Sequence, residues 1–219
     1  MTDQNDSRNI PNKNLDLKEF AHIYTPSTQW DDGGYPWRHR KLLQELIDTQ
    51  GDPWLTWDKD TGEALTGTHK RLLDGDALLV LLGPRGTGKT QAAVEVALQL
   101  DLYLKAQDRS RVITHFYTPL GELLNKEKAS WNDKSIDSPL KRARTCGLLV
   151  LDEIQESNAS DWERQTLTLL IDDLYRNMKR TILIGNLVRS GLEQFLSKSV
   201  QSRIKETGSI VEMAGKRYR

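Results

Sequence analysis

The stretch GPRGTGKT, at residues 83–90, constrains the fold of this 219-residue chain more than any other feature. It fits the pattern G-x-x-x-x-G-K-[ST], follows the apolar run ALLVLLG and opens the helix-like segment TQAAVEVALQL. In that context glycines let backbone N–H groups turn toward one centre, where the helix N-terminus adds positive potential. The alternative is a glycine-rich turn before a helix. The stretch predicts a phosphate-binding loop (P-loop), with nucleotide contacts at Gly83, Pro84, Arg85, Gly86, Thr87, Gly88, Lys89, Thr90 and Gln91.

A second motif, LLVLDE at residues 148–153, places two carboxylates after four apolar residues. Ligands of open α/β sheets bind at the carboxyl ends of the strands, so Asp152 is predicted to hold Mg²⁺ through water, beside the Thr90 hydroxyl. Lys89 is predicted to reach the β- and γ-phosphates, and Glu153 to polarise the attacking water as a general base. The alternative is that both acidic residues only cap the strand or the following loop.

Asn186 ends a further strand-like run, TILIGN at residues 181–186. A side-chain amide at that edge can orient a water molecule or contact the γ-phosphate. The alternative, a turn-forming asparagine, is common.

From Ala77 onward the chain alternates between strand-like and helix-like segments. The strand-like runs are ALLVLLG, RVITHFY, CGLLVLDE, TILIGN and SIVEM. Such alternation predicts an α/β fold with a mostly parallel sheet and right-handed crossovers. We predict a flexible acidic and polar segment at residues 1–34, a helical linker at 35–75 and the α/β core at 76–219.

Composition excludes some classes of protein but does not indicate a particular function. The 31 basic and 31 acidic residues balance, so net charge indicates no particular partner. A single cysteine, Cys146, excludes a disulfide framework or a Cys-rich zinc site within one chain. The polar start, MTDQNDSRN, is unlike a secretion signal, and no apolar run approaches the ~18 residues of a membrane span. We therefore expect a cytoplasmic protein without membrane contact.

The order of the motifs resembles that of the AAA+ ATPases. One strand and helix, RVITHFY and LGELLNK, intervene between the P-loop and the acidic strand, and the strand that ends in Asn186 follows. This resemblance implies a sheet order of 5-1-4-3-2, Mg²⁺-dependent hydrolysis of ATP, and a "sensor 1" role for Asn186. A P-loop kinase is disfavoured, because no Arg-rich lid lies between the core strands.

Residues 70–219 further resemble the DnaC/IstB group of bacterial replicative-helicase loaders and transposition helper ATPases. The motifs that carry this resemblance are Tyr175-Arg176-Asn177, Gly185-Asn186-Leu187, Ser202-Arg203-Ile204, Gly208 and Tyr218-Arg219. The resemblance implies that Arg203 is an arginine finger for the ATP of a neighbouring subunit, in a homo-oligomer with ATP at its subunit interfaces. Because the sequence stops at Arg219, the small helical lid of most AAA+ proteins is expected to be absent, and with it a second sensor arginine.

By the same resemblance the protein acts on DNA, with a replicative helicase or a transposase as its partner. The basic stretch at residues 125–144 holds six Lys/Arg, three Asp/Glu and Trp131, a mixture that can follow single-stranded DNA. The alternative for this stretch is a solvated loop whose tryptophan packs on the core. The alternative for the protein is an ATP-dependent scaffold or adaptor of a phage or plasmid pathway without direct DNA binding.

Overall fold

The computed structural model describes residues 33–50, 65, 71–72, 78–107, 113–133, 135–156 and 160–214. Five parallel strands form one sheet: β1 (Leu78–Leu82), β2 (His115–Pro119), β3 (Leu148–Asp152), β4 (Arg180–Gly185) and β5 (Gly208–Glu212). Their order across the sheet is β2-β3-β4-β1-β5. The predicted order 5-1-4-3-2 is this sheet read from the other edge, so the fold prediction is confirmed.

Helices cover both faces of the sheet. They are α1 (Trp37–Gln50), α2 (Lys89–Gln107), α3 (Leu120–Asn132), α4 (Pro139–Thr145), α5 (Asp161–Arg176), α6 (Arg189–Phe195) and α7 (Lys198–Thr207), with a short 3₁₀ helix at Ile154–Glu156. Helix α2 packs on one face and α1 packs against α2. Helices α3 to α7 pack on the other face. The sheet is therefore the middle layer of three.

The side chains of β1 show why its sequence is apolar throughout. Leu79 and Leu81 enter the core beneath α2, whereas Leu78, Val80 and Leu82 enter the core on the opposite face. A strand buried on both faces needs a continuous apolar run rather than an alternating one. Full burial of each large apolar side chain stabilises the fold by about 1.5–3 kcal/mol. This buried strand fixes the position of the loop that follows it.

The residues just before α1 lie along the edge strand β2. The backbone N–H of Tyr117 donates to the carbonyl oxygen of Gly33 at 2.6 Å. Gly34 has a φ of 82°, and a Cβ there would lie 2.7 Å from the carbonyl oxygen of Tyr117, so the position requires glycine. Tyr35 is buried, with its hydroxyl 3.3 Å from Nδ1 of His115. This docked segment leads directly into α1 and holds the helix near the P-loop.

The opposite edge of the sheet, β5, also contacts a residue that precedes β1. The Nη1 atom of Arg71 donates to the carbonyl oxygen of Gly208 at 3.0 Å and lies 3.4 Å from the Ser209 hydroxyl. Residues that precede β1 therefore contact both edge strands.

Three local expectations are corrected by the structure. The second strand begins at His115 rather than at residue 111, because its pairing with β3 starts at the His115–Leu148 pair. A serine followed three residues later by glutamate predicts a helix capping box at Ser160–Glu163 and at Ser190–Glu193. The first is confirmed, but the second is wrong. Helix α6 begins at residue 189, which places Ser190 inside the first turn instead of before it.

The third correction concerns residues 125–144, which are mostly helical. Helix α3 extends through Asn132 and α4 spans Pro139–Thr145, so the stretch is not the solvated loop of the alternative interpretation. Trp131 is 58% exposed and does not pack in the core.

The predicted flexible segment 1–34 lies outside the described residues except for Gly33 and Gly34, and so does most of 51–75. Among the described residues, no helix is both long enough and apolar enough to cross a membrane.

Candidate functional site

The carboxyl ends of three neighbouring strands converge on one cavity of about 630 Å³, within the usual size range of ligand sites. The P-loop follows β1, the acidic pair ends β3, and Asn186 follows β4. The lining residues are Arg38, His39, Leu42, Arg85, Gly86, Gly88, Lys89, Thr90, Gln91, Asp152, Glu153 and Asn186. Residues predicted from three separate motifs therefore meet at the sheet edge where α/β proteins bind ligands.

The conformation of the P-loop depends on its glycines. Gly86 and Gly88 have φ values of 86° and 88°, in the left-handed region that favours glycine. Gly83 has a φ of 139°, and a Cβ there would lie 2.3 Å from the carbonyl oxygen of Met213. That carbonyl is held in place because the N–H of Met213 donates to Leu82 at 2.7 Å. The turn after β1 therefore has no room for a side chain.

Lys89, the first residue of α2, is buried inside the P-loop. Its Nζ donates to the carbonyl oxygens of Gly83 at 2.8 Å and Pro84 at 2.6 Å. Burial lowers the pKa of the ammonium, the Asp152 carboxylate opposes this change, and the positive charge of Arg85 adds to it. The ammonium thus lies at the helix N-terminus, within the ring of backbone groups that is predicted to cradle phosphates.

Asp152 is buried and accepts three hydrogen bonds. Its Oδ2 accepts from the Thr90 hydroxyl at 2.9 Å and from the Tyr117 hydroxyl at 2.6 Å. Its Oδ1 accepts from the backbone N–H of Glu153 at 2.7 Å. These bonds fix the carboxylate beside the hydroxyl that is the other predicted Mg²⁺ ligand.

The donor set at this point fits Mg²⁺. Thr90 and Asp152 offer a hydroxyl and a carboxylate oxygen that lie side by side, and Mg²⁺ prefers oxygen ligands. The described residues contain no group of three or more His, Cys, Asp or Glu side chains that could hold a metal ion. Mg²⁺ usually binds one or two protein oxygens and completes its shell with water and substrate phosphates.

Tyr117 is a site residue that the sequence reasoning missed. It lies within RVITHFY, which predicts only a strand. Burial raises the pKa of its phenol, and the Asp152 charge raises the pKa further. The phenol therefore remains a hydrogen-bond donor to Asp152 at any physiological pH. Tyr117 lies on β2, which two strands separate from β1 and its P-loop, and no sequence signal pairs it with a carboxylate on β3.

Glu153 has a φ of 52°, in a region that few residues other than glycine occupy. Such strain concentrates at functional sites, where the surrounding structure maintains it. The conformation turns the chain from β3 into the short 3₁₀ helix, and Glu153 lines the cavity. On the neighbouring strand end, the N–H of Asn186 donates to Oε1 of Gln155 at 2.9 Å, which fixes its backbone.

Helix α1 supplies residues to the cavity that were also missed. Arg38, His39 and Leu42 line it, and Nδ1 of His39 lies 3.0 Å from Oε1 of Gln91 on α2. The basic start of the helix, WRHR, was visible in the sequence, but nothing in it places α1 beside the P-loop.

Arg203 is not among the described residues that line this cavity. It lies on α7, where its Nε is 3.4 Å from Oδ1 of Asp172 on α5. The structure thus brings together the other predicted catalytic residues, Lys89, Glu153 and Asn186, and places Arg203 elsewhere on the chain.

Comparison with known proteins agrees with this geometry. The family described as "IstB-like ATP binding protein" matches residues 69–219, more than half of the chain. No curated protein sequence matches the chain at a significant level.

Several solved structures share the fold. The crystal structure of the DnaC helicase loader is 25% identical, with a TM-score of 0.58, and the match covers 74% of this chain and 94% of that one. The crystal structure of DnaI is 16% identical, with a TM-score of 0.60 and coverages of 82% and 93%. Replication initiator DnaA bound to AMPPCP and single-stranded DNA is 18% identical, with a TM-score of 0.57 and coverages of 76% and 49%.

The family match covers the P-loop, the acidic strand, Asn186 and Arg203, and the fold matches extend over the same sheet. The chain therefore belongs to the IstB-like ATP-binding protein family, and its core is an AAA+ domain of the DnaC/IstB type.

Proposed function

We propose that this protein hydrolyses ATP with Mg²⁺, assembles with copies of itself, and acts on DNA as a helicase loader or transposition helper. The observation that carries the proposal is the convergence of Lys89, the Thr90–Asp152 pair, Glu153 and Asn186 on one cavity, without Arg203. The cavity holds the P-loop, the acidic pair and the polar amide. In this proposal an arginine from a neighbouring copy adds positive charge beside the γ-phosphate as the transition state forms.

The residues divide the chemistry among them. Lys89 and the P-loop N–H groups bind the β- and γ-phosphates, and Asn186 orients water next to the γ-phosphate. Glu153 accepts a proton from that water as it attacks. Mg²⁺, when bound, offsets charge on the phosphate oxygens. Tyr117 and Thr90 hold the Asp152 carboxylate in place for the metal.

The first test is ATP binding by a Lys89→Ala variant. The change removes the buried ammonium, and we expect ATP affinity to fall by about 100-fold, the scale of one to two charge-assisted hydrogen bonds. Titration with a fluorescent ATP analogue measures this. Lys126→Ala, a change on the exposed face of α3, is the matched control and should bind normally. Undiminished affinity in a folded Lys89→Ala protein, as judged by circular dichroism, would refute the proposed nucleotide site.

The proposed DNA contact rests on an aromatic pair in which Trp131 is exposed and Trp162 is partly buried against the core. Trp131 at the end of α3 and Trp162 at the start of α5 meet edge to face, with ring centroids 5.2 Å apart. The Nζ of Lys128 lies 4.6 Å from the centroid of the Trp162 ring. Exposed aromatic rings stack on unpaired bases, and neighbouring cations contact phosphates. The two tryptophans and Lys128 together form a surface suited to single-stranded nucleic acid.

We expect Trp131→Ala to weaken single-stranded DNA binding about tenfold, within the range measured for one stacked base. Fluorescence anisotropy of a labelled oligonucleotide, titrated at several salt concentrations, measures the change. Trp37→Ala is the control, because Trp37 is also exposed but lies on α1. Affinity of wild-type protein should fall steeply with salt. If wild-type protein binds no DNA at low salt, with or without ATP, the alternative function as a scaffold or adaptor is favoured instead.

The proteins with similar structures favour the DNA-directed role over the scaffold. One is a helicase loader and another is an initiator bound to single-stranded DNA. A replicative helicase or a transposase is the proposed protein partner. Affinity capture with the full chain, followed by identification of the bound protein, distinguishes these two classes.

A further inference from the structure

The side chain of Arg203 is held in a defined cluster between α5 and α7. Its guanidinium carbon lies 4.4 Å from the centroid of the Tyr175 ring. Its Nε is 3.4 Å from Oδ1 of Asp172, and its Nη1 is 4.0 Å from Oε2 of Glu206. One aromatic face and two carboxylates therefore define where the guanidinium lies.

Tyr175 and Asp172, which contact Arg203, make further hydrogen bonds of their own. The Tyr175 hydroxyl donates to Oε1 of Glu206 at 2.7 Å, which anchors the outer end of the ring. This hydrogen bond also raises the pKa of the phenol, so the hydroxyl stays a donor. The Ser199 hydroxyl lies 3.0 and 3.3 Å from the two oxygens of Asp172. The cluster is thus a connected network rather than a single chance contact.

The cluster leaves the arginine accessible. The side chain of Arg203 is 32% exposed, and its carboxylate partners are 26% and 56% exposed. Ion pairs at such exposed positions are weak, and so is a cation–π contact with water nearby. These contacts therefore restrict the direction of the side chain without preventing it from engaging a phosphate outside its own chain.

An arginine has several rotatable bonds, and fixing them when a neighbour's phosphate arrives would cost rotamer entropy. A side chain that is already directed avoids that cost at the moment of reaction. The ring of Tyr175 lies on a different helix from Arg203, so it acts as an external support for the guanidinium.

We propose that Tyr175 is a positioning residue for Arg203, whose ring directs the guanidinium toward the nucleotide site of a second copy of this chain. The inference rests on the proposed function, because it requires Arg203 to act in trans. The inference gives a reason for the motifs Tyr175-Arg176-Asn177 and Ser202-Arg203-Ile204 to occur in one chain. Tyr175 of the first motif contacts Arg203 of the second.

The test compares Tyr175→Leu, which removes the ring, with Tyr175→Phe, which keeps it. We expect Tyr175→Leu to lower kcat for ATP hydrolysis about tenfold with KM within about twofold, whereas Tyr175→Phe stays within about threefold of wild type. Leu169→Ala, an exposed change on the same helix, should have no effect. A normal kcat for Tyr175→Leu would overturn the proposal.

Mixed oligomers distinguish a positioning role of Tyr175 from a loss of folded structure in the Tyr175→Leu variant. Lys89→Ala subunits carry an intact Arg203 but stay largely free of ATP at concentrations near the wild-type KM, and Arg203→Ala subunits bind ATP but lack the arginine finger. Mixing them should restore hydrolysis. Adding Tyr175→Leu to the Lys89→Ala subunit should lower the restored rate about tenfold, while adding it to the Arg203→Ala subunit should not. Equal loss from either subunit would mean that Tyr175 is merely structural.

The mixing experiment also separates the two levels of proposal. If Lys89→Ala and Arg203→Ala subunits do not restore activity together, the trans role of Arg203 in the proposed function fails. If they do, and Tyr175→Leu has no effect in the subunit that donates Arg203, only the positioning role fails.

Discussion

Arg203→Ala should lower the rate of ATP hydrolysis by about 1,000-fold, the lower end of the effect of an arginine finger. ATP affinity should stay within about twofold, because Arg203 does not line the cavity of its own chain. A coupled assay for released phosphate measures the rate, and titration with a fluorescent analogue measures affinity. Arg176→Ala is the matched control, since Arg176 is a more exposed arginine on the neighbouring helix and also lies near a carboxylate.

The concentration dependence of the rate is the second part of this test. If ATP sites are completed between copies, the specific activity of wild-type protein rises with protein concentration until assembly is saturated. Arg203→Ala protein should stay inactive at every concentration. Normal hydrolysis by Arg203→Ala, or a wild-type specific activity that does not change with dilution, would contradict the trans arrangement.

Replacement of Glu153 by Gln should lower hydrolysis by about 100- to 10,000-fold, the usual contribution of a general base. The amide keeps the size and hydrogen-bonding capacity of the side chain but cannot accept a proton from water. ATP should still bind, because the P-loop, Thr90 and Asp152 are unchanged. Single-turnover measurements with labelled ATP separate the slow chemical step from binding.

The Glu153→Gln change is not expected to disturb the backbone at this position. Gln tolerates the same φ about as well as Glu does, so Glu153→Gln leaves the turn after β3 intact. Glu122→Gln, on the exposed face of α3, is the matched carboxylate control. Hydrolysis at the wild-type rate in Glu153→Gln would remove Glu153 from the proposed mechanism.

Local signals in the sequence were sufficient for the strands and for the P-loop. The run at residues 77–83 is apolar because β1 is buried on both faces. The turns of the P-loop that need a positive φ are marked in the sequence by Gly86 and Gly88. The order of the strands did not follow from local pattern and came from resemblance. The capping error at Ser190 has a local cause, since a polar residue in the first helical turn resembles an N-cap in sequence.

The residues that were missed share a different cause. Tyr117 and His39 contact partners that are distant in sequence, Asp152 and Gln91 respectively. No periodicity or spacing marks such pairs, because they exist only after the sheet and its helices have packed. The exposed position of Trp131 has the same origin, since it depends on where α3 ends relative to α5.

The contacts of Gly33 with β2 and of Arg71 with β5 have a consequence for aggregation. An open sheet presents unpaired N–H and C=O groups along its two outer strands, and these groups can template pairing with other chains. Here the Gly33 carbonyl accepts a hydrogen bond from the N–H of Tyr117 on one outer strand. On the other outer strand, the Arg71 guanidinium donates a hydrogen bond to the carbonyl of Gly208. A fragment that begins at residue 76 would lose both hydrogen bonds, and we expect it to expose one more unpaired backbone group on each outer strand for pairing with another chain.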